Sequence, residues 1–428
     1  MDLRLSLSGN GSFRQDRDTV KKIHYGWIIV FSGMLCIFGC IGLGRFALGM
    51  LLPAMAAPLK LSYSMMGVIS TANFIGYLLA VLLCGKTVMR YGARKVISLA
   101  LLLVGGSMVA VGMTSNYALL VFFYTATGVG SALANVPMMS LTVSWFSKSV
   151  RGRASGFIVI GSGFAILLSG RMVPAMNAAF AGDGWRYSWF VLGALVICIA
   201  LFCALVLRND PREMGLKPVT GTSGETLSFD EPAYGGKDIF HLAAIYFLFG
   251  ASYVIYATFL VTSLVQDKGL SEAQAGAMWS WVGILSLLSG PVFGTLSDWM
   301  GRRFALMVVF SLQAVAYLLA ASRQELLYLS CSAVAYGLVA WSIPSIMAAL
   351  VGDVVGARKA SAVFGFVTFI FAIGQIIGPA LAGYLAEAGG SFSPSFYLAA
   401  VMAVTGVLLS TFLKKDGAAA AKEIAAQK

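Results

Sequence analysis

Twelve apolar runs are spaced along this chain as six, a polar gap, and six more. They fall at roughly 25–52, 64–84, 95–113, 118–145, 154–178 and 187–207, then 240–265, 272–296, 303–321, 326–351, 360–386 and 394–413. Each is near the ~20 residues that cross a hydrocarbon layer. Backbone in that layer finds no water, so the runs must be helices that satisfy their own amides. The charge content agrees, since 11% of the 428 residues are charged, against about a quarter in a soluble domain. The fold class that follows is an all-α membrane protein with twelve transmembrane helices.

The two sets of six are related. Gly294-Thr-Leu-Ser-Asp298-Trp-Met-Gly301-Arg302-Arg303 joins the eighth and ninth runs, and Gly85-Lys-Thr-Val-Met89-Arg90-Tyr-Gly92-Ala-Arg94-Lys95 joins the second and third, 209 residues earlier. Asn135-Val-Pro137 in the fourth run matches Ser342-Ile-Pro344 in the tenth, and Arg153-Ala-Ser155 matches Lys359-Ala-Ser361. The pattern predicts two pseudo-symmetric six-helix bundles, 23–207 and 240–413. The stretch 208–239, with Pro211, Pro218 and Pro232, is too short and polar for a core and is taken as a linker. Residues 1–22 are polar, unlike a secretory signal, and form one tail; 414–428 form the other.

The net charge of +12 could suggest nucleic acid, but its distribution points to a bilayer. Lys and Arg gather in alternate links (Lys86, Arg90, Arg94 and Lys95; Lys148, Arg151 and Arg153; Arg302 and Arg303; Arg358 and Lys359), while the intervening links carry about one each. That bias puts the tails, the linker and the basic links in the cytoplasm. A multi-pass protein of the inner (plasma) membrane is expected, without a nucleic-acid partner. The six cysteines sit in or at the ends of apolar runs, where packing is their expected role, with no metal and no disulfide framework.

Parallel six-helix halves mark one large transporter class, and the chain resembles the major facilitator superfamily over almost its whole length. The carriers of that resemblance are Gly294…Asp298…Gly301-Arg302-Arg303 and the Gly-Pro element Gly374-Gln-Ile-Ile-Gly378-Pro379-Ala-Leu-Ala-Gly383. Tyr25-Gly-Trp27, the stretch from Gly128 through Pro137 and Trp145-Phe146 to Arg151-Gly152, and Asp210-Pro-Arg-Glu-Met-Gly215 resemble bacterial monocarboxylate and oxalate–formate porters. Gly44-Arg45-Phe46 and Ser169-Gly170 resemble another, poorly characterised bacterial group. The chain departs from the pattern at Met89, where an acid is usual, and at Tyr124, where many proton-driven members carry Arg. Spans eight and eleven offer Trp279, Trp281 and Gln375 where carboxylate porters usually place a basic residue. The resemblance implies alternating access, with Asp298 latching against the start of span five near Gly152, and Gly85, Arg90, Gly92, Arg94, Gly294, Gly301, Arg302 and Arg303 completing a conformational motif. The first-half latch, lacking its acid, is expected to be the weaker one.

Two charges lie well inside apolar runs, Arg45 and Arg171. An Arg near a helix centre costs about 2.5–3.5 kcal/mol on insertion scales and usually faces a cavity or a partner. Planar guanidinium forks suit carboxylates. Snorkelling to the outer headgroups is the alternative, because both lie about 27 Å along spans that cross about 30 Å. No Asp or Glu lies in mid-membrane, which argues against cationic drugs. In the resembled fold, spans one, four, seven and ten line the cavity. Tyr124 and Asn135 share a helical face with Gly128 and Ser131 on span four; Tyr253, Tyr256, Tyr336 and Trp341 are candidates on spans seven and ten, and Asn73 and Gln375 on two and eleven. His24 and His241 are taken as interfacial. The chain has no Walker loop and too few titratable groups for a hydrolytic site, so neither an enzyme nor a cofactor is expected. The expected function is a secondary transporter, working as a monomer, that moves a small organic anion by proton symport or exchange. Efflux of amphipathic or aromatic molecules is the alternative, and a transporter-derived sensor a weaker one.

Overall fold

The computed structural model describes residues 24–220, 236–322 and 324–413. The two tails and the later part of the linker lie outside them. Among the described residues twelve helices are long and apolar enough to span a membrane: Tyr25–Leu59, Tyr63–Tyr91, Ala93–Met113, Tyr117–Trp145, Val150–Ala179 and Gly184–Val206, then Gly236–Asp267, Glu272–Met300, Arg302–Ser322, Leu326–Val355, Ala362–Gly389 and Ser393–Thr411. They are called spans one to twelve. The face carrying the first and last described residues is the terminal face; the other is the far face.

The repeated links fold alike. Gly92 (φ 80°, ψ 149°) and Gly301 (φ 92°, ψ 152°) each end one helix and begin the next. Positive φ without a Cβ penalty is what glycine supplies there. The duplication read from the sequence is thus a duplication of backbone geometry. Around these turns the halves differ. Arg302 bonds the Asp298 carboxylate, Ser297 Oγ at 2.9 Å and Asp353 at 2.9 Å. Met89 and Ala93 occupy the places of Asp298 and Arg302, and Met89 is exposed. In the first half Arg94 instead donates through Nε and Nη2 to the Ala204 carbonyl, and Asn209 caps its backbone amide. Arg90 lies over the Tyr91 ring. Among the described residues Asp298 is therefore paired within its own half, with Arg302.

The beginning of the linker packs on the first bundle. Residues 208–219 run across the terminal face of the first bundle: Trp145 donates to the Arg208 carbonyl, Val219 bridges to Phe146, and His24 bonds the Lys217 carbonyl at 3.0 Å. His241 bonds the Leu409 carbonyl. Both histidines thus hold backbone at the terminal face.

The bundles meet along a seam in the middle and far parts of the molecule. Glycines let backbones touch there, as helix packing in lipid favours. A Cβ at Gly67 of span two would meet the Pro379 carbonyl of span eleven at 2.5 Å; Gly276 of span eight faces Gly170 of span five, and Gly49 of span one faces Ala257 of span seven. Polar contacts fasten the far end: Tyr63 donates to Asp267 at 3.0 Å, Asn177 to Glu272 at 2.6 Å, and the Ser64 amide to Glu387 at 3.1 Å. Toward the terminal face Gly85, Gly152, Gly294 and Gly365 have no atom within 4 Å of such a Cβ. The bundles are closed at the far face and spread at the terminal one.

Candidate substrate site

The site is built on an irregular stretch of span one. Phe38-Gly-Cys-Ile-Gly-Leu-Gly-Arg-Phe46 is a π-helix. Its i→i+5 bonding displaces the ladder and frees carbonyls for other partners. Span four supplies them. Ser131 Oγ donates to the Cys40 carbonyl at 2.6 Å, and the Tyr124 hydroxyl donates to the Arg45 carbonyl at 3.1 Å. On the face Tyr124–Gly128–Ser131, the two hydroxyls thus brace span one, while Gly128 seats against the Asn73 backbone of span two. Gly42 lets the bulged segment seat against Ala165 of span five, where a Cβ would lie 2.2 Å from the Ala165 Cβ.

The bulge delivers Arg45 to the centre of the molecule. Span one continues to Leu59, beyond the boundary drawn from hydropathy, so Arg45 stands near mid-span and not at the outer interface. Its guanidinium carbon lies 4.5 Å from the ring centroids of both Phe74 and Tyr77 on span two. Desolvated cation–π contacts of this kind are worth about 2 kcal/mol, which offsets part of the cost of the buried charge. Nε and Nη2, which form one edge of the guanidinium, are buried with no hydrogen-bond partner. An unpaired buried charged group is among the costliest arrangements a protein can hold. Those two parallel N–H groups match the two oxygens of a carboxylate.

Beside Arg45 is a small cavity, closed down to about the size of a water molecule, lined by Phe46, Ser70, Asn73, Tyr124, Val254 and Thr258 among others. Asn73 donates to the Tyr124 carbonyl at 3.2 Å and leaves its Oδ1 unpaired. Ser70 and Thr258 hydroxyls pair across the seam at 3.4 Å. On the other side Asn135 donates to the Tyr77 hydroxyl at 2.8 Å and fixes that ring. From the second bundle, Trp341 packs at a tilt of 45° on Phe46 (centroids 5.0 Å) and meets Tyr253 edge-on (6.0 Å); its indole Nε1 is buried and unpaired. Gln375 donates to the Tyr253 hydroxyl. Trp341 occupies a break in span ten, between helices ending at Val339 and starting at Ser342.

Arg45, Asn73, Tyr124, Asn135, Tyr253, Trp341 and Gln375, all candidates from the sequence, are therefore gathered in one cluster. Three candidates are not. Arg171 is exposed, seven and fourteen residues after the exposed Phe164 and Phe157 and so on their outward stripe of span five. Tyr256 bonds Ser332 at 2.6 Å inside the second bundle. Tyr336 packs against Tyr256, and its hydroxyl reaches only the Tyr253 carbonyl. A helical period cannot say whether an aromatic faces a cavity or its own bundle. Phe46, Phe74, Tyr77 and Thr258 were missed; Phe74 and Tyr77, one turn apart, carried no polar signature pointing to an arginine on another span.

The comparisons agree with this architecture. Residues 37–411 match the family described as "Uncharacterised MFS-type transporter YbfB". The hexuronate transporter of Bacillus subtilis (strain 168) is 26% identical, over 85% of this chain and 88% of that protein. Monocarboxylate transporter 11 of Homo sapiens is 28% identical, over 74% and 68%. The solved structure of a bacterial homolog to the human lysosomal transporter Spinster superposes with a TM-score of 0.68 at 16% identity, covering 90% of this chain and 96% of that one. Twelve spans in two related bundles and a match over most of the chain make this protein a secondary transporter of the major facilitator superfamily, a member of the family described as "Uncharacterised MFS-type transporter YbfB".

Proposed function

We propose that the protein carries a small organic anion across the membrane by alternating access, with Arg45 holding a carboxylate of the substrate. One observation carries this reading: two nitrogens along one edge of the half-buried Arg45 guanidinium, Nε and Nη2, are themselves buried and have no hydrogen-bond partner. Hexuronate and monocarboxylates, for which the relatives are named, are carboxylates too. Efflux of neutral amphipathic molecules would leave that edge unpaired throughout the cycle. With the basic links in the cytoplasm of a bacterial inner membrane, the open terminal face makes the conformation inward-facing. Since no acid stands in mid-membrane, the anion would bring a proton as its own undissociated acid or leave in exchange for another anion. The protein is proposed to work as a monomer, each chain holding a whole site.

The test is uptake of radiolabelled carboxylates into proteoliposomes. Arg45→Gln removes the charged edge. Hydrogen bonds to charged groups contribute about 1.5–3 kcal/mol each, so at least a tenfold loss of uptake at subsaturating substrate is expected. Arg45→Gln transport at the wild-type rate would overturn the reading. An imposed pH gradient separates symport, which it accelerates, from exchange, which depends on anion loaded inside.

A further inference from the structure

The site can be narrowed from organic anions to one chemical class. We propose that it selects a planar aromatic monocarboxylate, an inference that rests on Arg45 as the anion's partner.

Charge comes first. Arg45 is the one charged side chain among the residues that line the cavity, and Arg171, the other intramembrane charge, is on the outward stripe. A dicarboxylate or a phosphate ester would bring a second negative charge with nothing to meet it, a heavy penalty in a low-dielectric site. One negative charge is what the site can hold.

The hydrogen-bonding inventory is nearly used up within the protein. Ser70 and Thr258 hold each other, Tyr124 holds the Arg45 carbonyl, Asn135 holds Tyr77, and Gln375 holds Tyr253. What remains buried and unpaired near Arg45 is its own edge, Asn73 Oδ1 and Trp341 Nε1. That is enough for one carboxylate and one hydroxyl or carbonyl. A sugar acid brings several hydroxyls, most of which would be stripped of water and left without partners. On this ground the chain differs from the hexuronate transporter it resembles.

The walls supply what a flat ring needs. Phe74 and Tyr77 both turn a ring face to the guanidinium. A carboxylate paired side-on lies near the guanidinium plane, so an attached ring continues between those aromatic surfaces. Phe46 of the first bundle, which lines the cavity, packs against Trp341 of the second with centroids 5.0 Å apart. Because these two rings belong to different bundles, an aromatic substrate that parts them and takes the place of their contact would bind both halves at once. A short aliphatic acid would satisfy Arg45 and leave the ring surfaces unmatched.

The test uses the purified full-length protein in lipid nanodiscs. Thermal-stability titrations with benzoate, 4-hydroxybenzoate, propionate, succinate and D-glucuronate give each affinity, since a ligand of the folded state raises the melting temperature. Each aromatic contact contributes about two- to tenfold, so benzoate and 4-hydroxybenzoate are expected to bind at least about tenfold tighter than propionate. Trp341→Leu is expected to shrink the ratio of benzoate to propionate affinity, which a general loss of structure, weakening both ligands alike, would not produce; Phe46→Leu gives the same readout from the other bundle. Propionate or D-glucuronate binding as tightly as benzoate would overturn the aromatic class and leave the anion function standing. If no carboxylate shows binding that Arg45→Gln abolishes, both fall.

Discussion

Substituting Gly67 by alanine should open the far face. A Cβ at Gly67 would stand 2.5 Å from the Pro379 carbonyl oxygen, 3.2 Å from the Gly383 Cα and 3.4 Å from the Gly383 amide nitrogen. Ordinary contact between such atoms is about 3.5–4.0 Å, so spans two and eleven must separate by about 1 Å. The obstruction is backbone on a partner helix, which cannot rotate away as a side chain would. Overpacking of this size costs about 1–3 kcal/mol. The cost falls only on conformations in which the far seam is closed, so the closed-to-open balance should move by about 5- to 150-fold. The assay is the maleimide labelling rate of Ser70→Cys in a cysteine-free background, because Ser70 is buried beside the seam. Gly85→Ala, on the same helix, is the control, since a Cβ there meets nothing within 4 Å. It carries the same gain in helix propensity of about 0.5–1 kcal/mol without the clash. A labelling rate in Gly67→Ala that stays within about twofold of wild type, when overpacking predicts at least fivefold, or an equal rise in Gly85→Ala, would refute the reasoning.

Three further outcomes are expected. Arg171→Gln should leave carboxylate affinity within about twofold, as for exposed positions generally; a larger loss would bring that guanidinium back into the site. Ser131→Ala strips the Cys40 carbonyl of its side-chain donor and should lower stability by about 1–3 kcal/mol, read as a fall in melting temperature together with weaker binding, since the same bulge positions Arg45. Met89→Asp alone should not create a first-half counterpart of the Asp298–Arg302 pair, because Ala93 stands where Arg302 would be; a clear shift in terminal-face accessibility from the single substitution, absent from Met89→Asn, would contradict this.

Much of the fold was legible because hydrocarbon imposes a length and a composition that a linear reading can detect. The span limits agree to within a few residues at most ends, and Gly92 and Gly301 adopt the matching conformations that the repeated links required. The exceptions are instructive. Span one runs to Leu59 through Pro53 and Pro58, and that extension moved Arg45 from the apparent interface to the middle. The linker begins as a strap because Asn209 and Val219 find backbone partners on the first bundle, contacts with no local signature. For the candidate site, residue type nominated Arg45, Asn73, Asn135 and Gln375, which the structure places in one cluster, since polar groups in hydrocarbon demand partners. Aromatic residues carried no such demand, so Tyr256 and Tyr336 could not be told from Tyr253.

The sequence alone determined the number of spans, their grouping into two related bundles and the presence of two intramembrane arginines. Each follows from a local rule: run length, repeat spacing, or the cost of a charge in lipid. Only the tertiary structure separated the two arginines. Both are eighteen residues beyond a marker at the start of their spans (Trp27 and Arg153). The π-bulge braced by Ser131 and Tyr124 turns one of them inward between Phe74 and Tyr77, while regular helix carries the other on an outward stripe. Which way a side chain faces depends on helix rotation against neighbours distant in sequence, and that rotation is set by packing across the bundle.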